Sequence, residues 1–337
     1  WADRFDRDLT DIFAVQDEIA GLIAQNLHLK LGVESRRTRT VNPEAHRLML
    51  EGRHFWNQRN ATGFARAETA FLKAIEIDPT FAEPHAGLAG VYVIRAIYRQ
   101  LGESVTRDSD DMSRARVAAS KAVELDPGLA EAHAVLGFLH MSDRDNLAAQ
   151  RSFEQALKLS PNSATAHSWY GVLLLISGRI DLALERYAKA AKLDPLWFIN
   201  LQNLTEALFY AGRYDEALKV SDRATTLRSD PFIPHLGLRA QILLALGRRD
   251  EAVQMARALR TNFAADTRWI ADATAIRILN LGDQTTEAQA YAAEVLARLD
   301  PRTAVRAQVL AALGRYGESL AALGQTRAAE LRYIFYE

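Results

Sequence analysis

The chain has 337 residues, of which 49% are apolar and 25% charged, and its formal net charge is −1. That length suffices for two ordinary domains or for one long solenoid. The near-neutral charge excludes a general nucleic-acid or membrane-surface role, which needs a basic excess, and the absence of cysteine excludes disulfides and thiolate chemistry.

The first 40 residues are distinct, and we interpret them as a junction helix followed by a linker. A helix capped by Thr10 places its apolar side chains three and four residues apart, on one face. A single amphipathic helix is not stable alone, so we expect it to pack on the first repeat, on an upstream domain or on a second copy of the chain. Its apolar positions are Ile12, Phe13, Val15, Ile19, Leu22, Ile23 and Leu27.

The second unit, residues 41–337, repeats itself at a fixed period. Three prolines, Pro127, Pro161 and Pro195, recur at intervals of 34 residues. Alanines stand five and twelve residues before each proline, and two of the prolines also follow an aromatic residue by eight positions. These residues are Ala115, Ala122, Ala149, Ala156, Ala183, Ala190, Phe153 and Tyr187. The period and pattern resemble the tetratricopeptide repeat, a helix–turn–helix unit that stacks into a solenoid.

Each recurring residue type has a physical reason in such a repeat. Gly137 and Gly171 have no Cβ and so let the two helices of one hairpin approach closely. Phe153 and Tyr187 then fill the space to the next hairpin. The prolines end the second helix and direct the chain into the following repeat.

Looser repeats flank this central pair. Upstream, a first repeat ends at Pro79, and a second carries an insertion between Tyr92 and Ala115. Its residues 101–111 are polar and turn-rich, and we interpret the insertion as lengthened helix ends plus an exposed loop. Downstream, the turns of further repeats are marked by Gly212-Arg213, Gly247-Arg248 and Gly314-Arg315, with a weaker repeat around Gly282. Because helix formers dominate, we predict an all-α, α-α superhelix of about seven to eight helical hairpins, preceded by one amphipathic helix.

The two ends of the chain are not those of a finished solenoid. The final segment, residues 331–336, is apolar and aromatic, whereas a solenoid end should be polar to stay soluble. The first residue is Trp1 rather than Met. We therefore expect the chain to be a piece of a longer protein, continued beyond both ends.

A second resemblance lies at the junction. Residues 1–13, WADRFDRDLTDIF, and residues 51–59, EGRHFWNQR, resemble a family of bacterial signalling proteins in which a TolB-like domain ends in W-x-x-x-[FY]-D-R-x-L-x-D-I-F and tetratricopeptide repeats follow. The resemblance implies an effector upstream, commonly an adenylate/guanylate cyclase or a winged-helix DNA-binding domain. No cyclase or winged-helix residues lie in this chain, so no activity is carried onto any position here.

Candidate chemistry within the chain is sparse. His85, His133 and His167 occupy one position of three successive repeats, about 10 Å apart by helix packing, too far to share a zinc ion. We interpret them as structural. No metalloprotease histidine pair or phosphate-binding loop occurs, and the acidic pair Asp110–Asp111 lies in the insertion without a cleft. We therefore expect no catalytic residue, no metal and no cofactor, and predict that the chain is not an enzyme.

The concave groove, lined by the first helix of each repeat, is the better candidate. Its apolar row with a polar end suits an amphipathic helix or an extended hydrophobic segment, although the same side chains could equally be buried between helices or covered by the junction helix. The predicted groove residues are Phe138, Met141, Trp169, Val172, Leu175, Ile176, Gln202, Asn203, Glu206, Phe209 and Tyr210, and Ala134, Val135 and Ser168 are expected on the same face.

Three hypotheses about function follow. The leading one is a non-catalytic scaffold, the C-terminal regulatory module of a cytoplasmic bacterial signalling protein, which binds a protein or peptide partner in its groove. The second is a homodimerisation module that assembles an upstream effector through the junction helix or the final segment. The third is a small-ligand sensor. None involves nucleic acid or membrane binding by this chain.

Overall fold

The computed structural model describes residues 41–58, 60–100, 110–228, 232–260, 268–299 and 304–325. Within these residues the chain forms sixteen α-helices and no strand, as the all-α prediction required. In chain order the helices are α1 Pro43–Trp56, α2 Ala61–Ile77, α3 Ala82–Gln100, α4 Asp111–Leu125, α5 Ala130–Ser142, α6 Asn146–Leu159, α7 Ala164–Ile176, α8 Ile180–Leu193, α9 Phe198–Tyr210, α10 Tyr214–Thr225, α11 Ile233–Ala245, α12 Arg249–Leu259, α13 Arg268–Leu281, α14 Thr285–Arg298, α15 Ala304–Ala312 and α16 Tyr316–Gln325.

The helices pair into eight consecutive hairpins over the described residues, α1–α2 through α15–α16. This confirms the predicted repeat architecture and its upper count. The junction helix, the insertion loop 101–109 and the final segment 331–336 lie outside the described residues. One part of the insertion is described: α3 runs for 19 residues where α5 has 13, so a lengthened helix end does take up part of it.

Glycine determines how the two helices of a hairpin approach each other. A Cβ on Gly137 would lie 2.6 Å from the ring of Phe153, and one on Gly171 would lie 2.6 Å from the ring of Tyr187. Real Cβ atoms do not come so close to a ring, so the aromatic side chain of the second helix fits only against a bare backbone. Both rings are fully buried, which confirms the role predicted for these residue pairs.

The turn inside most hairpins requires a left-handed backbone. Gly178, Gly212, Gly247 and Gly314 have φ between 72° and 76°, where a side chain is strained. The residue after three of these glycines is an arginine whose guanidinium binds the glutamate three residues later. The pairs are Arg213–Glu216, Arg248–Glu251 and Arg315–Glu318. The recurrent Gly-Arg pattern is therefore a turn and helix-start device.

The hairpins stack so that their first helices lie side by side. Each odd-numbered helix from α1 to α13 contacts the next odd-numbered helix as well as its own hairpin partner. Each even-numbered helix contacts the first helix of the following hairpin. The odd-numbered helices therefore form one continuous surface, which we call the groove face.

Candidate functional site

A cavity of about 390 Å³ opens on the groove face between the first four hairpins. Trp56 of α1, Gly90 of α3 and Trp169 of α7 all line it. The cavity is lined by Arg53, Trp56, Asn57, Phe71, Gly87, Gly90, Leu129, Ala130, Glu131, Ala134, Val135, Ser160, Ser163, Thr165 and Trp169. Its size is that of an ordinary ligand or side-chain pocket.

The two glycines of α3 in this cavity play different roles. A Cβ on Gly90 would meet nothing nearer than the indole of Trp56 at 3.8 Å, which is ordinary van der Waals contact. A Cβ on Gly87 would lie 2.5 Å from Cζ of Phe71. The same ring also lies against Gly52, where a Cβ would come within 2.6 Å of it. Gly87 is therefore required by the packing of Phe71, whereas Gly90 leaves space open.

One side of the cavity is closed by an ion pair between hairpins. Arg53 Nη2 of α1 lies 2.9 Å from Glu131 Oε2 of α5, so the pair bridges from the first hairpin to the third. Both side chains are partly exposed, at 43% and 32%. An ion pair of this exposure adds little to stability, but it places two charges at the rim of an otherwise largely apolar space.

The sequence prediction of the groove missed most of this cavity. Of its lining, Trp169, Ala134 and Val135 were expected on the groove face. Repeat register could have found more, because Trp56 follows Gly52 by four residues as Met141 follows Gly137.

The predicted groove residues occupy the groove face of hairpins three to five, at different depths. Four of them, Phe138, Met141, Trp169 and Gln202, are less than 10% exposed and form its floor, where Phe138 and Trp169 pack with ring centroids 5.4 Å apart. Val172, Leu175, Asn203, Glu206 and Phe209 are partly exposed. Ile176 and Tyr210 are 60% and 57% exposed. That a partner binds these residues stays a prediction.

Glu206 is the one acidic member of the predicted set. Withdrawal from water raises the pKa of its carboxyl group above the ordinary value. Its charge contributes in turn to the raised pKa of Tyr187 and of Tyr210, so the carboxylate lies close to both rings. Beside it, Asn203 Nδ2 donates a hydrogen bond to Ser168 Oγ of α7 at 3.2 Å, which joins α9 to the preceding first helix along the groove face.

The three recurring histidines are structural. In each, Nε2 donates to the backbone carbonyl of the proline six residues earlier, at 3.2 Å for His85, 2.8 Å for His133 and 3.0 Å for His167. The imidazole thus ties the start of the first helix to the preceding inter-repeat turn. Within the described residues no group of three potential metal ligands comes together.

A buried polar cluster in hairpins five and six was not predicted. His235 Nδ1 donates to Gln202 Oε1 at 2.5 Å, and its Nε2 accepts from Ser221 Oγ at 3.1 Å. Ser221 stands 34 residues after Tyr187, so it replaces the large ring of the preceding repeat. Burial lowers the pKa of His235 to about 4. This imidazole is therefore neutral at physiological pH, and it serves packing rather than catalysis.

The acidic pair of the insertion differs from the expectation. Asp111 is not in a loop but begins α4, where it is 1% exposed. Its carboxylate accepts from Arg95 Nε at 2.9 Å, and Arg95 Nη1 donates to Glu68 at 2.6 Å. The insertion is thus held to the first two hairpins by a buried charge network, whose members are paired rather than poised for catalysis.

No helix among the described residues is long and apolar enough to cross a bilayer. Comparison with protein families matches residues 135–196 to the tetratricopeptide repeat. A protein of Rhizobium meliloti (strain 1021) named "Putative adenylate cyclase 3" is 43% identical over 93 residues, which is 26% of this chain and 16% of that protein. The match thus spans a small part of that relative.

Solved structures of the same architecture cover most of the chain. Human IFIT1, solved as a dimer with m7Gppp-AAAA, superposes with a TM-score of 0.56 at 16% identity, over 94% of this chain and 82% of that one. The APC/C hetero-tetramer Cut9–Hcn1 gives a TM-score of 0.51 at 17% identity, over 70% of this chain and 46% of that one. At such identities the likeness shows the fold alone. The chain is therefore a solenoid of helical hairpins, and residues 135–196 of it match the tetratricopeptide repeat.

Proposed function

We propose that the chain is a non-catalytic scaffold whose groove face holds a helical or extended segment of a protein partner. The cavity walled by Trp56 and Trp169 carries this proposal. It is open to the groove face, large enough for a bulky side chain, and floored by a backbone without a side chain at Gly90. Anchoring a few bulky side chains in such pockets is how grooves of this kind bind peptides.

The setting of this scaffold is a bacterial signalling protein. The junction motif in residues 1–13 resembles proteins that carry a cyclase or winged-helix effector. The relative named as a cyclase supports the first of these two. In this proposal the solenoid is the regulatory module of a cytoplasmic protein, and partner binding in the groove biases the effector.

The cavity can be tested by filling it. A peptide library displayed on phage is selected on the chain, and the affinity of the selected peptides is measured by calorimetry. Gly90→Leu places a side chain in the cavity from a position where the Cβ itself has room. Gly317→Leu on α16 is the matched control, since a Cβ there meets no atom within 4 Å. We expect Gly90→Leu to weaken binding at least tenfold and Gly317→Leu to leave it unchanged.

Either of two results would contradict the proposal. The library could yield no peptide that binds the chain, or the selected peptides could bind Gly90→Leu as tightly as the unaltered chain. The second result would move the binding surface away from the cavity.

A second candidate, homodimerisation, is favoured by one feature of the last hairpin. Tyr316 and Leu320 lie four residues apart on α16 and are 67% and 69% exposed, so they form an apolar patch on one helix face. If this patch is the dimer contact, light scattering should give twice the chain mass, and Leu320→Glu should return it to the mass of one chain. A single-chain mass at high concentration would exclude this candidate.

A further inference from the structure

The outer side of the first hairpin is polar, so it offers no seat for an apolar helix. In every later hairpin this side of the first helix lies against the second helix of the preceding hairpin. On α1, Arg47 instead pairs with Glu44 at 2.7 Å and with Glu51 at 3.1 Å, and all three side chains are exposed. Leu50 is the one large apolar side chain that α1 exposes. A helix laid there would take charged groups out of water, which is costly.

The groove face beside α1 is different, because its cavity is open and largely apolar. Trp56, the last residue of α1, lines this cavity together with Ala134 and Val135 of α5. On the same face, Val172 of α7 is partly exposed and Ile176 is 60% exposed. An apolar helix laid across these first helices would fill the cavity and cover the apolar side chains that follow it.

The junction helix predicted within the first 40 residues fits this surface in length and reach. Its apolar positions run from Ile12 to Leu27, which is about 23 Å of helix. Neighbouring first helices lie about 10 Å apart, so this apolar stripe spans two to three hairpins. Residues 28–42 link it to α1 and can extend to about 50 Å, whereas α1 is about 21 Å long. The segment can therefore return from the start of α1 to the cavity at its end.

We propose that the junction helix lies in the groove face of its own chain, with its apolar side chains over the cavity, and that a partner segment displaces it. This inference rests on the proposed function, because both occupants use the same cavity. A tethered segment acts at an effective concentration on the order of 1 mM, so even a weak contact competes with a partner. Release of the junction helix would then convey partner binding to the effector proposed upstream.

Peptides selected from the phage library measure this competition in the full chain. Ile23→Glu places a charge on the apolar face of the junction helix, and Gln25→Glu, two residues away on the opposite face, is the matched control. If the junction helix occupies the groove for about nine-tenths of the time, it weakens apparent peptide binding about tenfold. Calorimetry should therefore show about tenfold tighter binding to Ile23→Glu and unchanged binding to Gln25→Glu. A gain of affinity cannot arise from misfolding.

Engineered cysteines identify the occupant, since the chain has none of its own. Thr165→Cys, at a partly exposed residue that lines the cavity, is combined in turn with Ile12→Cys, Ile19→Cys and Ile23→Cys, and each protein is oxidised. We expect at least one of these pairs to form a disulfide within one chain, and saturating peptide to suppress it. Gln25→Cys with Thr165→Cys should form none.

Two kinds of result would overturn the inference and leave the proposed function standing. One is a disulfide that joins two chains, which would place the junction helix on a second copy, or no disulfide for any of the pairs. The other is an Ile23→Glu chain that binds the peptides no more tightly than the unaltered chain, while Gly90→Leu still weakens them. Failure of every peptide to bind even the Ile23→Glu chain would overturn both.

Discussion

The pair Gly87 and Gly90 offers a sharp test of how the first hairpins are packed. Both lie inside α3, where replacing glycine by alanine removes the same excess of unfolded-state entropy and stabilises a helix by about 1 kcal/mol. Because this gain is common to both variants, any difference between Gly87→Ala and Gly90→Ala reports what the added methyl group meets in the folded state.

The two methyl groups meet different surroundings. At Gly90 the methyl finds the Trp56 indole at 3.8 Å, so the helix gain is kept and Gly90→Ala should be about 1 kcal/mol more stable. At Gly87 it would lie 2.5 Å from the Phe71 ring. That ring is 1% exposed and also lies against the backbone of Gly52, so it has little room to move away. Overpacking of a confined core costs about 1 to 3 kcal/mol, so Gly87→Ala should be less stable than Gly90→Ala by that amount.

Urea unfolding monitored by circular dichroism measures both variants against the unaltered chain. Because a repeat array need not unfold in one step, amide hydrogen exchange of α1 to α4 provides a local reading. Gly87→Ala and Gly90→Ala of equal stability would show that Phe71 is not clamped between the two backbones. The tertiary argument for the cavity floor would then be wrong.

Three further perturbations follow from the structure. Burial lowers the pKa of His235 to about 4, so below about pH 6.5 the unfolded chain binds a proton that the folded chain does not. The free energy of unfolding should therefore fall by about 2 to 3 kcal/mol between pH 6.5 and pH 4.5. His235→Gln should lose that part of the pH dependence when urea unfolding is compared at the two pH values. Asp111→Ala leaves Arg95 with one of its two carboxylate partners. Because Asp111 is the buried partner, the substitution should cost about 3 kcal/mol in urea unfolding. Gly212→Ala places a residue with a Cβ at a backbone φ of 72°, where that Cβ meets no other atom. Backbone strain alone should therefore lower the free energy of unfolding by about 1 kcal/mol. A melting temperature equal to that of the unaltered chain would show that the turn relaxes.

Much of the fold was predictable because it depends on residues a few positions apart. The pairing of Gly137 with Phe153 and of Gly171 with Tyr187 repeats at a constant interval, and each pair constrains one hairpin by itself. The left-handed glycines similarly mark the turns without reference to the rest of the chain. Local patterns of this kind were enough to predict the helices, the hairpins and their number.

The candidate site was only partly predictable, because exposure depends on how neighbouring hairpins rotate against each other. Helical register predicts Phe138 and Trp169 on the groove surface, yet both are less than 10% exposed and their rings pack against each other. In hairpin five the aromatic residue of the pattern is replaced by Ser221, and the space is used by His235 of the following hairpin. The sequence pattern of a single repeat cannot predict such compensation between neighbouring repeats.

The sequence by itself therefore determined the repeat, its helices and its turns, since those follow from backbone conformation and from contacts within about 34 residues. Only the tertiary structure decided where a cavity opens and which charges meet across hairpins. Arg53 and Glu131 are 78 residues apart and meet because three hairpins stack in one register. The depth of Glu206 depends on the same stacking, because burial is set by the summed packing of several hairpins and not by any one of them.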